Sequence, residues 1–160
     1  MIKTVFFLST LLVLFTACNK ADTPASSEDM IRGGQWKRSS LKFNLHNPDG
    51  STTTTDGYVL LPECVKDNTL EFKVNYVGTE TKNAKCSAGD PDANEFNWEI
   101  YNSGKNIRIY NADETFSTNS VNGEILSLSA NLLSFRYNFV QKDPINQTSD
   151  TVTVEDVFKK

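Results

Sequence analysis

The sequence predicts an all-β domain, a single small up-and-down antiparallel barrel of about eight strands. Two observations carry this. From residue 33 onward, short runs of alternating apolar and polar residues are separated by clusters of Gly, Asn, Asp and Ser. No long helical period falls between them, so the strands follow one another as hairpins. A meander of that kind commonly closes on itself, because closure removes the exposed edges that promote aggregation. A two-sheet sandwich of the same strands is the alternative.

The first strand is expected over residues 35–45. Its apolar positions change parity between Trp36 and the series Leu41, Phe43, Leu45, which places a bulge near Ser39 and Ser40. Residues 46–50 form a turn, and the Thr-rich residues 51–56 are a polar loop or a loose edge strand. Residues 58–65 are a short helix or an extended cap, limited by Pro62. Leu70, Phe72, Val74 and Tyr76 alternate with Glu71, Lys73 and Asn75 as a half-buried strand. Gly78 is expected to turn the chain into a polar return strand over 79–85, with a loop over 83–94.

Phe96, Trp98 and Ile100 alternate again, residues 102–104 turn, and Ile107 and Ile109 face the core. Two longer strands follow, over 116–129 with a break near Gly123 and over 132–141, joined at Asn131. Leu126, Leu128 and Ala130 are expected to face inward from the first. Leu133, Phe135, Tyr137 and Phe139 are expected to do so from the second. After a loop at 142–149, the last strand, 150–158, presents Val152 and Val154 on one face.

The N-terminus is of another kind. Met1-Ile2-Lys3 is a short positive leader, and residues 4–15 are an apolar run of about a dozen residues, too short for a bilayer that needs roughly 20. Together they have the form of a secretory signal. Thr16-Ala17-Cys18 at its end resembles the lipobox of bacterial lipoproteins. That resemblance implies that Cys18 becomes the first mature residue, carrying a thioether-linked diacylglycerol and an N-acyl chain of the palmitate type. Asn19 in place of Asp favours an outer membrane. The organisation expected is a lipoprotein signal peptide at 1–17, a lipidated cysteine and flexible tether at 18–32, and the barrel at 33–160. A short helical turn near 28–32 is expected to lie against the barrel mouth.

Loss of residues 1–17 takes Lys3 with it and leaves 15 basic against 20 acidic residues. Scattered mild acidity argues against a nucleic-acid partner, which calls for a basic face. Of three cysteines, Cys64 and Cys86 remain once Cys18 is lipidated. In an oxidising compartment two such thiols usually pair; two buried free cysteines are the alternative. Two cysteines and the single His46 fall short of a four-ligand zinc set, so no metal is expected. His46 lies beside a turn and reads as solvated. Glu95 and Glu99 share the outer face of one strand, not a cleft. No Gly-x-Ser-x-Gly elbow or phosphate loop occurs. No catalytic residue, enzymatic activity or cofactor is expected.

Gly34-Gln35-Trp36 resembles the Gly-x-Trp signature of lipocalins. The run 64–72 (CVKDNTLEF), a second cysteine at Cys86, and the Trp98 strand behind it resemble the lipocalin-like lipoproteins of Bacteroidetes. The resemblance covers residues 33 to about 158 and implies a barrel behind a lipoprotein signal, with Cys64 paired to Cys86. A first-strand Trp in that family is stacked by an Arg, for which Arg108 or Arg136 would have to serve. Asp150-Thr151-Val152 resembles the short O-glycosylation sequon of exported Bacteroidetes proteins.

Function follows from the interior. Trp36, Phe72, Tyr76, Phe96, Trp98, Phe135, Tyr137 and Phe139 are core residues by default, or they line a cavity for a small apolar or amphipathic ligand, since barrels of about eight strands hold one small molecule. The leading expectation is an envelope binding module anchored to the membrane by lipid. The alternative is a structural or protein-interaction role, as an accessory subunit or inhibitor, with a packed core and an exposed apolar patch around residues 58–61.

Overall fold

In the computed structural model, residues 25–47, 49–112, 120–142 and 149–160 are described. Cys18 and the signal lie outside them, as do residues 113–119 and 143–148.

The strands run in chain order as β1 (Gln35–His46), β2 (Thr52–Asp56), β3 (Thr69–Phe72), β4 (Val77–Thr81), β5 (Ala93–Tyr101), β6 (Asn106–Asn111), β7 (Val121–Leu128), β8 (Leu132–Lys142) and β9 (Ser149–Lys159). Each pairs antiparallel with the next from β3 to β9, β9 pairs with β1, and β1 returns to β3, so eight strands close into a barrel. The ninth, β2, shares an edge of β1 with β3: it takes Lys42 to His46, while β3 takes Gln35 to Lys37. The expected meander is therefore present, with one added strand at its rim.

Closure depends on irregularities. The register of β1 on β9 shifts between Arg38 and Ser40, where the change of apolar parity places a bulge. It lets Trp36 and Arg38 below it, and Leu41, Phe43 and Leu45 above it, all share the side of the inward β9 residues. A second shift, between Ile125 and Ser127, is not legible as a period. It turns Ile125 inward and leaves Leu126 44 % exposed, so the expectation that Leu126 and Ala130 face the core is corrected.

The segment after Phe72 also departs from expectation. The strand stops there, and a 3-10 turn follows with Asn75 and Tyr76 both at φ 61. Val74 and Tyr76 are consequently exposed. Gly78 is not the turn residue but lies within β4. A Cβ there would come 2.2 Å from two ring carbons of Phe96, so only glycine lets that ring lie across the strand.

Helices cover the two ends. α1 (Ser27–Ile31) is started by a capping box between Ser26 and Asp29 and buries Ile31 completely. It docks beside Trp36, at the end opposite the mouth, because β1 begins there immediately after it; the expectation of a turn against the mouth is corrected. α2 (Gly57–Leu60) and α3 (Glu63–Lys66) connect β2 to β3 at the open end. Cys64 on α3 is disulfide-bonded to Cys86 in the loop between β4 and β5.

Candidate functional site

The barrel interior is sorted along its axis. At the closed end, Trp36 donates its indole N–H to the Ile31 carbonyl at 2.7 Å. The ammonium of Lys160 sits 4.4 Å from the Trp36 ring centroid and donates to the carbonyls of Met30 and Arg32. Lys160, not Arg108 or Arg136, is thus the cation on this Trp: Arg108 bonds Glu99 and Asn122 and lies over Tyr101, and Arg136 pairs with Glu124. Above this plug, Phe72 meets Phe96 and Trp98 edge to face at 5.5 and 5.4 Å, and Trp98 donates to the Val77 carbonyl. Ile107 and Leu133, which have no accessible surface, complete the layer.

The open end is different. A cup of about 210 Å³ is lined by Leu70, Phe96, Ile109, Val121, Phe135 and Phe158 as its apolar wall, with Arg38, Asp156, Glu80, Asn111 and Tyr137 as its polar part. It shares Glu80, Phe96 and Asn111 with a wider outer cleft of about 660 Å³, which adds Glu95. For scale, cavities of about 150 Å³ in protein cores admit a benzene ring.

The central polar feature is an ion pair. Arg38 Nε and Nη2 donate to Asp156 Oδ1 and Oδ2 at 2.8 and 3.0 Å, the planar two-point arrangement that guanidinium and carboxylate favour. The guanidinium lies 5.0 Å from the Phe158 ring centroid. Asp156 is 2 % exposed. Its burial pushes the carboxyl above its ordinary value, while the charge and hydrogen bonds of Arg38 pull the other way. Burial works against the Arg38 cation, but the charge and hydrogen bonds of Asp156, with the nearby charges of Tyr137 and Glu80, together offset this and hold its pKa above the usual value. Tyr137, half-buried beside the pair, has its hydroxyl pKa raised by burial and then by the Asp156 charge. Glu80 accepts from Asn68 Nδ2 at 2.9 Å and Asn94 Nδ2 at 3.4 Å.

Of the residues expected to form the core or line a cavity, Trp36, Phe72, Phe96, Trp98 and Phe135 are buried inside the barrel, and Tyr137 is half-buried at the cup. Tyr76 is corrected: its ring packs on Trp98 from outside, 5.8 Å between centroids, and stays 50 % exposed. Phe139 lies on the inward side but above the closed part of the barrel. It stands edge to face with Phe43 and borders a separate apolar groove of about 270 Å³. Thr151 is exposed on β9. His46 is exposed and hydrogen-bonded to Thr153 and Thr52, and Glu95 is exposed. Among the described residues, no three His, Cys, Asp or Glu side chains gather to hold a metal ion.

Arg38 and Asp156 were not expected. Their signals were an Arg two residues after Trp36 and an Asp in the alternating series Val152, Val154, Phe158. No protein-family model matches the chain, and a search of curated proteins finds no similar sequence. Fold and cup together define a class: a closed eight-stranded barrel, plugged at one end and open over an ion-paired floor at the other.

Proposed function

We propose that this chain is a lipid-anchored binding module of a bacterial envelope, one of the lipocalin-like lipoproteins, which holds a small amphipathic molecule at the mouth of its barrel. The observation that carries the reading is the cup. Its apolar wall suits the body of such a molecule, and the Arg38–Asp156 pair with Tyr137 offers a fixed set of polar contacts for its head. Cys18 is the proposed acylation site, and the outer membrane the proposed location. α1, which follows the tether in sequence, lies at the plugged end, so the chain leading to Cys18 would join the barrel on the side away from its mouth.

Native mass spectrometry of the protein purified from its own membrane tests this. The expected result is a bound small molecule in addition to acyl mass on Cys18. A Val121→Trp variant, whose ring fills the cup, should lose the bound molecule and keep the acyl mass. Protein that carries nothing in its cup overturns the ligand reading, and a Cys18 without acyl chains overturns the anchor.

A protein-interaction role has its own supporting observation: Val59 and Leu60 on α2 are 64 % and 67 % exposed, side by side near the mouth. Site-specific crosslinking from a probe at Val59 in intact cells would favour it if one protein were captured reproducibly and Leu60→Asp in the same chain abolished the capture.

A further inference from the structure

The charges facing the cup are unevenly balanced. Among the described residues, Arg38, Asp156 and Glu80 line the cup, one positive charge against two negative, and the exposed Glu95 adds a further negative charge at the outer cleft. The single cation is already committed, since both oxygens of Asp156 are held by Arg38. Glu80 is held by the amides of Asn68 and Asn94, which are neutral, and no ion pair of the described residues includes it or Glu95. The surrounding wall is aromatic, from Phe96, Phe135, Phe158 and Tyr137. Aromatic faces attract cations, more strongly where water is excluded.

We propose that the cup selects an organic cation, a small ammonium group carried on an apolar body. This rests on the cup being a ligand site. Glu80 supplies the counter-charge and the aromatic rings receive the rest of the cation. An anion would enter a cup already holding two carboxylates, Asp156 and Glu80, with the one guanidinium engaged. Arg38 Nη1 and the Tyr137 hydroxyl, which have no hydrogen-bond partner among the described residues, remain as donors to a neutral oxygen on the same molecule.

Calorimetric titration of the full chain in detergent at neutral pH, with three probes of matched shape, tests this: 2-phenylethylamine, 2-phenylethanol and 3-phenylpropionate. The amine is expected to bind about tenfold more tightly than the alcohol, equivalent to about 1.4 kcal/mol, and the carboxylate most weakly. Glu80→Gln keeps a carbonyl oxygen for the Asn68 amide at 2.9 Å, gives up only the long bond from Asn94 at 3.4 Å, and should abolish the amine's advantage. Unchanged alcohol binding would show that the cup is intact. Equal affinity for amine and alcohol, preference for the carboxylate, or an amine advantage that survives Glu80→Gln overturns the cation assignment and leaves the ligand site standing. If no probe binds and Val121→Trp changes nothing, the ligand site itself is overturned.

Discussion

Replacing Arg38 with Met removes the cation that pairs with Asp156 and leaves a carboxylate 2 % exposed among Phe135, Tyr137 and Phe158. Deleting one partner of a buried pair costs about 3–5 kcal/mol, because the remaining charge is stranded away from water. The two ends of this pair are not equivalent: the Arg38 side chain is 26 % exposed and that of Asp156 is 3 %. Asp156→Leu frees a guanidinium that reaches solvent in the cup, and costs about 1–3 kcal/mol. The double variant Arg38→Met/Asp156→Leu replaces the pair with apolar side chains and should be neutral, or more stable than the parent by about 1–4 kcal/mol. Acidity supplies an independent check. Burial already raises the Asp156 carboxyl above its unfolded value of 3.8, and loss of Arg38 raises it further. A carboxyl so raised holds its proton more tightly when folded. Its contribution is greatest below the unfolded value and is lost as pH climbs through the folded one. The deficit of Arg38→Met relative to the parent should therefore shrink as pH falls from neutral toward 4. Urea unfolding followed by the fluorescence of Trp36 and Trp98, both fully buried, reads all three variants. A double variant as unstable as Arg38→Met, or a deficit indifferent to acid, would refute the account of Asp156 as a stranded buried charge.

Two further outcomes follow from the packing. The bridge between Cys64 and Cys86 spans a separation of 22 residues, for which the chain-entropy model gives about 3 kcal/mol; Cys64→Ala/Cys86→Ala should lower the unfolding free energy by that order without changing native Trp fluorescence, since the bridge lies at the mouth and both Trp residues in the core. Gly78→Ala should cost about 1–3 kcal/mol and alter the near-UV circular dichroism, because a Cβ 2.2 Å from Phe96 must displace a ring shared by the core and the cup; an unchanged spectrum and stability would mean the ring does not lie across β4 in solution.

How far the fold is legible in the sequence depends on whether a feature repeats. Alternation over Phe96, Trp98 and Ile100, or over Leu133 and Phe135, repeats on one strand and places those residues correctly. The β1 bulge is legible because it leaves a trace, an apolar series on each side in opposite phase. The β7 bulge leaves none: one shifted position among Ile125, Leu126 and Leu128 exchanges two residues equally suited to a core. Asn75 and Tyr76 defeat the period in another way. A non-glycine pair in the left-handed region is a choice the chain makes locally, and the apolar character of Val74 and Tyr76 reads as continued strand. The candidate site was the least legible part. Asp156 shares the inward parity of Val152, Val154 and Phe158, but nothing local marks it as paired, because Arg38 lies 118 residues away and reaches it only through the β1–β9 register.

That the pair lies where it does bears on what the barrel is for. Eight strands enclose a space that side chains alone can fill, and the lower half shows it filled, with Trp36, Trp98 and Phe72 supplying bulk and Ile31 closing the end. In the upper half the inward positions carry Val121, Asn111 and Glu80, side chains too small or too polar to complete the same packing. Apolar residues at 38 and 156 would serve stability at least as well as an ion pair. A barrel needing only to be closed would gain from continuing its apolar layers to the rim. In the ligand-binding reading the division has a purpose. The plugged half supplies the stability that lets the mouth keep an unfilled cavity and an ion-paired floor, and the disulfide ties the connecting segments at that mouth, where the interior contributes least. The same division makes the reading vulnerable to one measurement. If Arg38→Met/Asp156→Leu is more stable than the parent and still takes up the same molecule from the membrane, the pair has no part in recognition, and the cup is defined by its aromatic wall and Glu80 alone.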